Sequence, residues 1–155
     1  MELLATCYLF EGLSESQMQH LTGITKETSI QKDQWLFHEG QEAKQFFMIK
    51  KSKVELLTKV NDELELPIAM LRDPGSCFGT SSLTAPYVYS LSARCAEQGS
   101  LLVVEAMELK ELMQEDRDLG YILMTNWAAH LLNRLKETRQ ELKIHFRTLF
   151  KSMTS

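Results

Sequence analysis

The fold class this chain predicts is mostly β with flanking helices: a double-stranded β-helix, or jelly roll, preceded by short helices and followed by one long dimerisation helix. Three observations predict it. Short alternating runs broken by turn residues fill the middle of the chain, from Thr28 to Val104. Helical patterning is confined to the first 25 residues and to the stretch after Glu105. Neither Gly nor Pro interrupts the chain after Gly120.

At the start, Leu3, Leu4, Leu9 and Phe10 supply an apolar face, and Ser14-Glu15-Ser16-Gln17 has the spacing of a capping box ahead of Met18 and Leu21. Extended segments are expected over Ser29–Phe37 and Phe46–Lys50. Val54, Leu56, Thr58 and Val60 alternate with polar residues, as do Leu64, Leu66, Ile68 and Met70, so the two runs form a hairpin turning at Asn61-Asp62. Two further strands, Leu91–Ala96 and Leu101–Val104, are expected to meet at a turn over Gln98-Gly99-Ser100. A short helix follows near Met107–Gln114, and a long one from about Asp118 to Met153. Along the long helix Tyr121, Met124, Ala128, Leu131, Leu135, Thr138, Leu142, His145 and Leu149 recur at alternating spacings of three and four, the seam of a coiled coil over about four heptads. A helix of that length projects beyond a small β domain, and the simplest partner for its seam is a second copy. The alternative is that its first half packs on the roll and its end frays. We divide the chain into a β-roll with flanking helices, 1–114, and the long helix, 115–155, within one structural unit.

The segment Pro74-Gly75-Ser76-Cys77-Phe78-Gly79-Thr80-Ser81-Ser82-Leu83 has the shape of an anion-cradling loop. Its glycines allow positive φ, and the hydroxyl-bearing residues after Gly79 bring small side chains and free amides. Its flanks lack the matching charge, since Thr84 to Ser92 holds no Lys or Arg and the first cation is Arg94.

Composition narrows the function. With 155 residues, 44% of them hydrophobic and 25% charged, the chain can bury a core. A net charge of −4 argues against a general nucleic-acid binder. Three widely spaced cysteines, 7, 77 and 95, indicate neither a disulfide framework nor a zinc site and fit a reducing cytoplasm. No signal peptide and no run of about 20 apolar residues is present, so a soluble, cytoplasmic chain without membrane association is expected.

The order of these pieces resembles the cyclic-nucleotide-binding domain of the catabolite-activator and nitric-oxide/oxygen-sensing regulator superfamily. The resemblance runs through Leu9-Phe10-Glu11-Gly12-Leu13-Ser14, Trp35-Leu36-Phe37-His38-Glu39-Gly40, Phe46-Phe47-Met48-Ile49, the cassette with Gly75 and Phe78-Gly79, and Ser100-Leu101-Leu102-Val103-Val104. It ends in the dimer helix around Asn133-Arg134-Leu135. It implies a regulatory module, not an enzyme, with a ligand pocket drawn from Phe78, Gly79, Thr80, Ser81, Ser82, Ser90, Arg94, Arg134 and Thr138. In nucleotide-binding members a Glu for the ribose hydroxyl stands where this chain has Thr80, and an Arg for the cyclic phosphate where it has Ser90. The Gly between the second and third strands is here Ser52, and Thr138 matches a position that contacts the purine.

A charge-assisted hydrogen bond to phosphate is about twice as strong as a neutral one, so these losses argue against cAMP or cGMP bound in the usual way. The expectation is therefore a dimeric sensor of another small molecule, with no cofactor. Two alternatives stay open: a true cAMP or cGMP receptor rescued by Arg94, Thr80 and backbone amides, or a ligand-free dimeric scaffold.

Other constellations carry less. Cys77 lies where haem-dependent members of the superfamily use side chains, but a lone Cys is more often a small buried hydrophobe. His145 on the seam is a packing residue or a pH-sensitive contact with its symmetry mate. A metal-dependent cupin needs clustered His and carboxylates, and only His38-Glu39 lies in the β region; no metal site is expected. The basic run Arg134, Lys136, Arg139, Lys143, Arg147, Lys151 is a solvated face or a surface for an acidic protein partner. DNA-binding members continue into a helix-turn-helix, and this chain ends at Ser155, so no direct DNA binding is expected.

Overall fold

The computed structural model describes residues 2–154, so the outermost residue of each unit proposed above lies outside the described residues. Two 3₁₀ turns, Leu4–Thr6 and Tyr8–Phe10, precede α1 (Glu15–Gly23). Six strands follow: β1 (Thr25–Ile30), β2 (Trp35–Phe37), β3 (Gln45–Lys59), β4 (Glu65–Leu71), β5 (Cys77–Phe78) and β6 (Ser92–Glu105). A 3₁₀ turn, Thr80–Leu83, separates β5 from β6, and α2 (Ala106–Glu115) and α3 (Arg117–Thr154) close the chain. The strands form one antiparallel sheet in the order β1-β6-β3-β4, with β2 added on β6 and β5 on β3, and the sheet bends into a roll. The mostly β jelly roll with a long final helix is the expected class.

The centre of the fold is the β3–β6 pair. Phe46, Phe47, Met48 and Ile49 stand opposite Val104, Val103, Leu102 and Leu101. Successive strand residues point to opposite faces, and here both faces are covered. Phe46, Met48, Leu102 and Val104 join Leu4, Leu9, Phe10, Leu21, Leu109, Leu119 and Leu123 beneath the helices. Phe47, Ile49, Leu101 and Val103 face the inside of the roll with Ile30, Phe37, Val54, Phe78, Tyr89 and Ala93. That two-sided burial explains why these runs are continuously apolar, and each large side chain contributes about 1.5–3 kcal/mol through it.

The structure corrects the segmentation. Phe46–Lys50 and Val54–Val60 are not separate strands but lie in one, β3, apart from Val60 just past its end. Leu91–Ala96 and Leu101–Val104 likewise merge, from Ser92 onward, into β6, with no turn at Gln98-Gly99-Ser100. Both long strands bend at a shared corner where the register shifts between Ile49 and Val54. A Cβ on Gly99 would run into the Lys51 carbonyl, so the two backbones approach there only because residue 99 is Gly. Ser52, standing where the family resemblance places a Gly, is buried and its hydroxyl donates to Glu97 O at 2.7 Å. Ser29–Phe37, in contrast, breaks in two, because Asp33 takes a left-handed conformation (φ 70°) between β1 and β2.

The other elements follow their local chemistry. Ser14 and Gln17 form the capping box of α1. Asn61 Oδ1 accepts from the amides of Glu63 and Leu64 and closes the β3–β4 hairpin. Asp116 accepts from Leu119 N at the start of α3 and, with Asp118, accepts from Gln17 Nε2, tying α1 to α3. The first part of α3 packs on the roll through Leu119 and Leu123, and Asn126 donates to the carbonyls of Leu9 and Glu11 at 2.9 and 2.8 Å. From Leu131 to its end the helix is exposed.

Gly99→Ala is expected to lower the melting temperature by several degrees, as overpacking at the corner costs about 1–3 kcal/mol. Gly23→Ala is the control. Nothing lies within 4 Å of its added Cβ, and it is expected to be neutral or slightly stabilising. Equal melting temperatures for the two variants in a thermal scan would remove the corner's role.

Candidate functional site

A cavity of about 450 Å³ lies between the roll and α3. Its inner wall is apolar: Phe37, Leu56, Leu71, Phe78 and Tyr89. The β3–β4 hairpin contributes Leu56, Ile68 and Ala69, and α3 covers the opposite side with His130, Leu131 and Arg134. The aromatic wall is rigid. Phe37 stacks on Tyr89 at 3.7 Å between ring centroids, Phe47 stacks on Phe78 at 5.1 Å, and the Tyr89 hydroxyl donates to Gln45 O at 2.8 Å. Burial pushes the Tyr89 phenol above its ordinary range.

The cassette shapes the polar end. Gly79 is left-handed (φ 80°) and caps the Thr80–Leu83 turn; a Cβ there would press on Gln45 O at 2.9 Å. Thr80 and Ser81 line the cavity, and the Ser81 hydroxyl meets that of Ser90 at 3.4 Å. The place where the resemblance puts a phosphate-binding Arg thus holds one half of a neutral hydroxyl pair.

Of the residues expected from sequence, Phe78, Gly79, Thr80, Ser81, Ser90 and Arg134 line this one cavity. Three sit elsewhere. Ser82 is buried beneath the loop, its hydroxyl donating to Gly79 O at 2.7 Å. Arg94, on β6, pairs with Glu55 at 3.1 Å and stacks over Trp35 at 5.2 Å, so its charge is satisfied within the sheet and it does not line the cavity. Thr138 is exposed on α3, one helical turn beyond Arg134 and outside the cavity lining.

Sequence reasoning missed Tyr8, Cys77 and His130 as cavity residues, and placed Leu131 only on the seam. Tyr8 stacks on His130 with centroids 4.0 Å apart, joining the N-terminal segment to α3 at the cavity wall. No sequence spacing links residues so distant in the chain. Burial, and then the Arg134 guanidinium, hold the His130 pKa below its ordinary 6.5, against a smaller opposing pull from Glu137. Among the described residues no cluster of His, Cys, Asp and Glu suited to a metal ion occurs, and no helix is long and apolar enough to cross a membrane.

Comparison with known proteins agrees with this geometry. Residues 27–116 match the family model described as the cyclic nucleotide-binding domain. The chain is 22% identical to the anaerobic regulatory protein of Bacillus subtilis over 86% of its own length and 56% of that protein's. It superposes on the catabolite activator protein of Thermus thermophilus with a TM-score of 0.75 and 25% identity, covering 88% of this chain and 62% of that one. It also superposes on a cyclic nucleotide-binding domain from Methylobacillus flagellatus with a TM-score of 0.76 and 18% identity, covering 90% and 78%. The chain therefore spans a little over half the length of the Bacillus and Thermus proteins.

His130 generates a pH prediction. Because its folded pKa is depressed, the unfolded chain takes up the proton more readily, so the stability contributed by the neutral stacked ring is present above pH 6.5 and is lost as the pH falls below it. His130→Gln is expected to flatten the fall in melting temperature between about pH 7 and 5. Identical slopes for the two proteins would show that His130 titrates alike in both states.

Proposed function

The chain belongs to the cyclic nucleotide-binding domain family, and on that premise we propose that it is a dimeric sensor module whose cavity takes a small ligand other than cAMP or cGMP bound in the usual way. The observation that carries this reading is the neutral Ser81–Ser90 pair at the polar end of the cavity. A cyclic phosphate seated there meets hydroxyls and amides but no cation, and loses the charge-assisted bonds that dominate phosphate affinity. Thr80, likewise neutral, offers the ribose a hydroxyl in place of a carboxylate. The cavity suits a compact, largely apolar molecule held against Phe37, Phe78 and Leu71, with a polar group toward the cassette.

Signalling follows from where α3 sits. Its residues 130, 131 and 134 form one wall of the cavity, so a ligand that prefers one position of the helix shifts the population toward it. Beyond the roll the same helix exposes Leu135, Leu142 and Leu149, and Phe146 and Met153 extend that face at the same spacings. A second copy of the helix, with matching pitch, is the occupant we assign to this face. Met124, in the expected seam, packs instead against the core beneath the helices, while Tyr121 and Ala128 of that seam are exposed. The basic residues between Arg134 and Lys151 are exposed and can meet an acidic partner protein.

One observation favours genuine cyclic-nucleotide binding. Arg134 lines the cavity, and it pairs with the exposed Glu137 at 3.1 Å, a contact that a phosphate can displace.

Calorimetric titration with cAMP and cGMP is expected to give no saturable micromolar binding. Thr80→Glu combined with Ser90→Arg is expected to raise cyclic-nucleotide affinity at least about tenfold. Micromolar binding by the unaltered chain, lost in Arg134→Ala, would establish the second reading. A thermal-shift screen of small metabolites without any response would leave a scaffold. Sedimentation equilibrium is expected to show a dimer that Leu135→Asp with Leu142→Asp converts to a monomer, and a monomeric parent protein would remove the dimeric reading.

A further inference from the structure

Two of the three cysteines, 70 positions apart in the chain, meet at the edge of the cavity. Cys7 is buried between the two N-terminal 3₁₀ turns, and Cys77 on β5 packs against the same cluster, where the two thiols act on one another. The contact is built in by the backbone. Gly75 packs so closely on Thr6 that any Cβ at 75 would collide with the Thr6 side chain, which sets residues 6 and 7 against the loop leading into Cys77. The β3–β5 register puts Cys77 opposite Met48, and Cys7, Met48 and Cys77 share the cluster beneath the helices. Cys77, mostly buried, also lines the cavity. Cys95 is separate: it lies inside the roll with its thiol donating to Glu97 O at 3.1 Å.

We propose that Cys7 and Cys77 are an oxidative modification site, a dithiol that a hydroperoxide reaching the cavity converts to an intramolecular disulfide. The peroxide oxygen is transferred to one of the two sulfurs, giving a sulfenic acid and releasing an alcohol, or water from hydrogen peroxide. The other sulfur then attacks it, the S–S bond forms, and the sulfenic oxygen leaves as water with the second thiol's proton. Two thiols and one hydroperoxide thus become one disulfide, one alcohol and one water, with the peroxide reduced and both sulfurs oxidised.

Two features favour disulfide closure. Both cysteines lie in one cluster, with Thr6 and Gly75 beside them in close approach, so the two segments already adjoin. The Cys77 thiol and the backbone amides of Leu9 and Phe10 hold Cys7 below its ordinary value, while the same pairing and burial push Cys77 up, so Cys7 is the readier thiolate of the two. The consequence reaches the cavity through Tyr8, which follows Cys7 directly, lines the cavity with Cys77 and stacks on His130 of α3. Closing the disulfide removes the Cys77 S–H and draws on the segment that carries Tyr8. The inference is independent of which ligand the cavity takes.

The test is made on the intact chain. Purified protein is treated with hydrogen peroxide, denatured, alkylated, and mapped by mass spectrometry without reduction. The expected result is a Cys7–Cys77 linked peptide, at least about a tenfold loss of alkylatable Cys7 and Cys77, unchanged Cys95, and full reversal by dithiothreitol. Cys95→Ser is expected to behave as the parent does. Cys77→Ser is expected to form no disulfide, and so is Cys7→Ser where it folds. Cys77 driven to sulfinic acid while Cys7 stays alkylatable would overturn the proposal. So would disulfides found only between chains, or oxidation of Cys95 at the same rate.

Discussion

The structure depends on the burial of both faces of the β3–β6 pair. A sheet strand with one wet face alternates polar and apolar residues. Here Phe46 to Ile49 and Leu101 to Val104 do not, because one set of side chains fills the roll and the other holds down α1, α2 and the start of α3. The helices are therefore not appendages. They cover apolar surface that the central strands present, and the roll and the base of α3 are stabilised by the same residues. The corner at Ser52 and Gly99 lets those strands bend together without interrupting the two-sided packing.

That arrangement creates the cavity as a by-product of geometry. The bent sheet supplies an aromatic inner wall, the cassette at Gly79 supplies small polar groups, and α3, anchored at Leu119, Leu123 and Asn126, passes across the opening. The chemistry of the lining then departs from a phosphate site. The two hydroxyls of Ser81 and Ser90 satisfy one another, and the nearest strand cation, Arg94, is held by Glu55 and Trp35. Among the described residues, positive charge reaches the cavity lining from the helix alone, through Arg134.

Along α3 a single amphipathic pattern serves two purposes in sequence. Up to His130 one face of the helix is held on the domain, through buried leucines, the Asn126 hydrogen bonds and the Tyr8–His130 stack, while Tyr121 and Ala128 are exposed. Beyond it the apolar residues are all exposed. Leu131 stands at the changeover, touching the cavity while beginning the outward seam. The cavity and the exposed apolar stripe of α3 thus share a side chain.

Much of the fold is legible in local chemistry alone. The capping box at Ser14 and Gln17, the hairpin closed by Asn61, the left-handed Gly75 and Gly79, and the uninterrupted final helix each depend on a few neighbouring residues, so the sequence by itself determined them and, through their order, the fold class. Six of the nine proposed pocket residues also line the cavity, because the cassette is one short segment whose turn geometry places its own side chains. What the tertiary structure alone decided are relations between distant segments. Gly99 marks a bend and not a turn because it lies against Lys51. Arg94 is spent on Glu55, one strand away. Tyr8, Cys7, Cys77 and His130 meet because the N-terminal segment is pressed between β5 and α3. Periodicity reports which face of an element is apolar; it carries no information on which other face that element meets, and every one of these contacts is such a meeting.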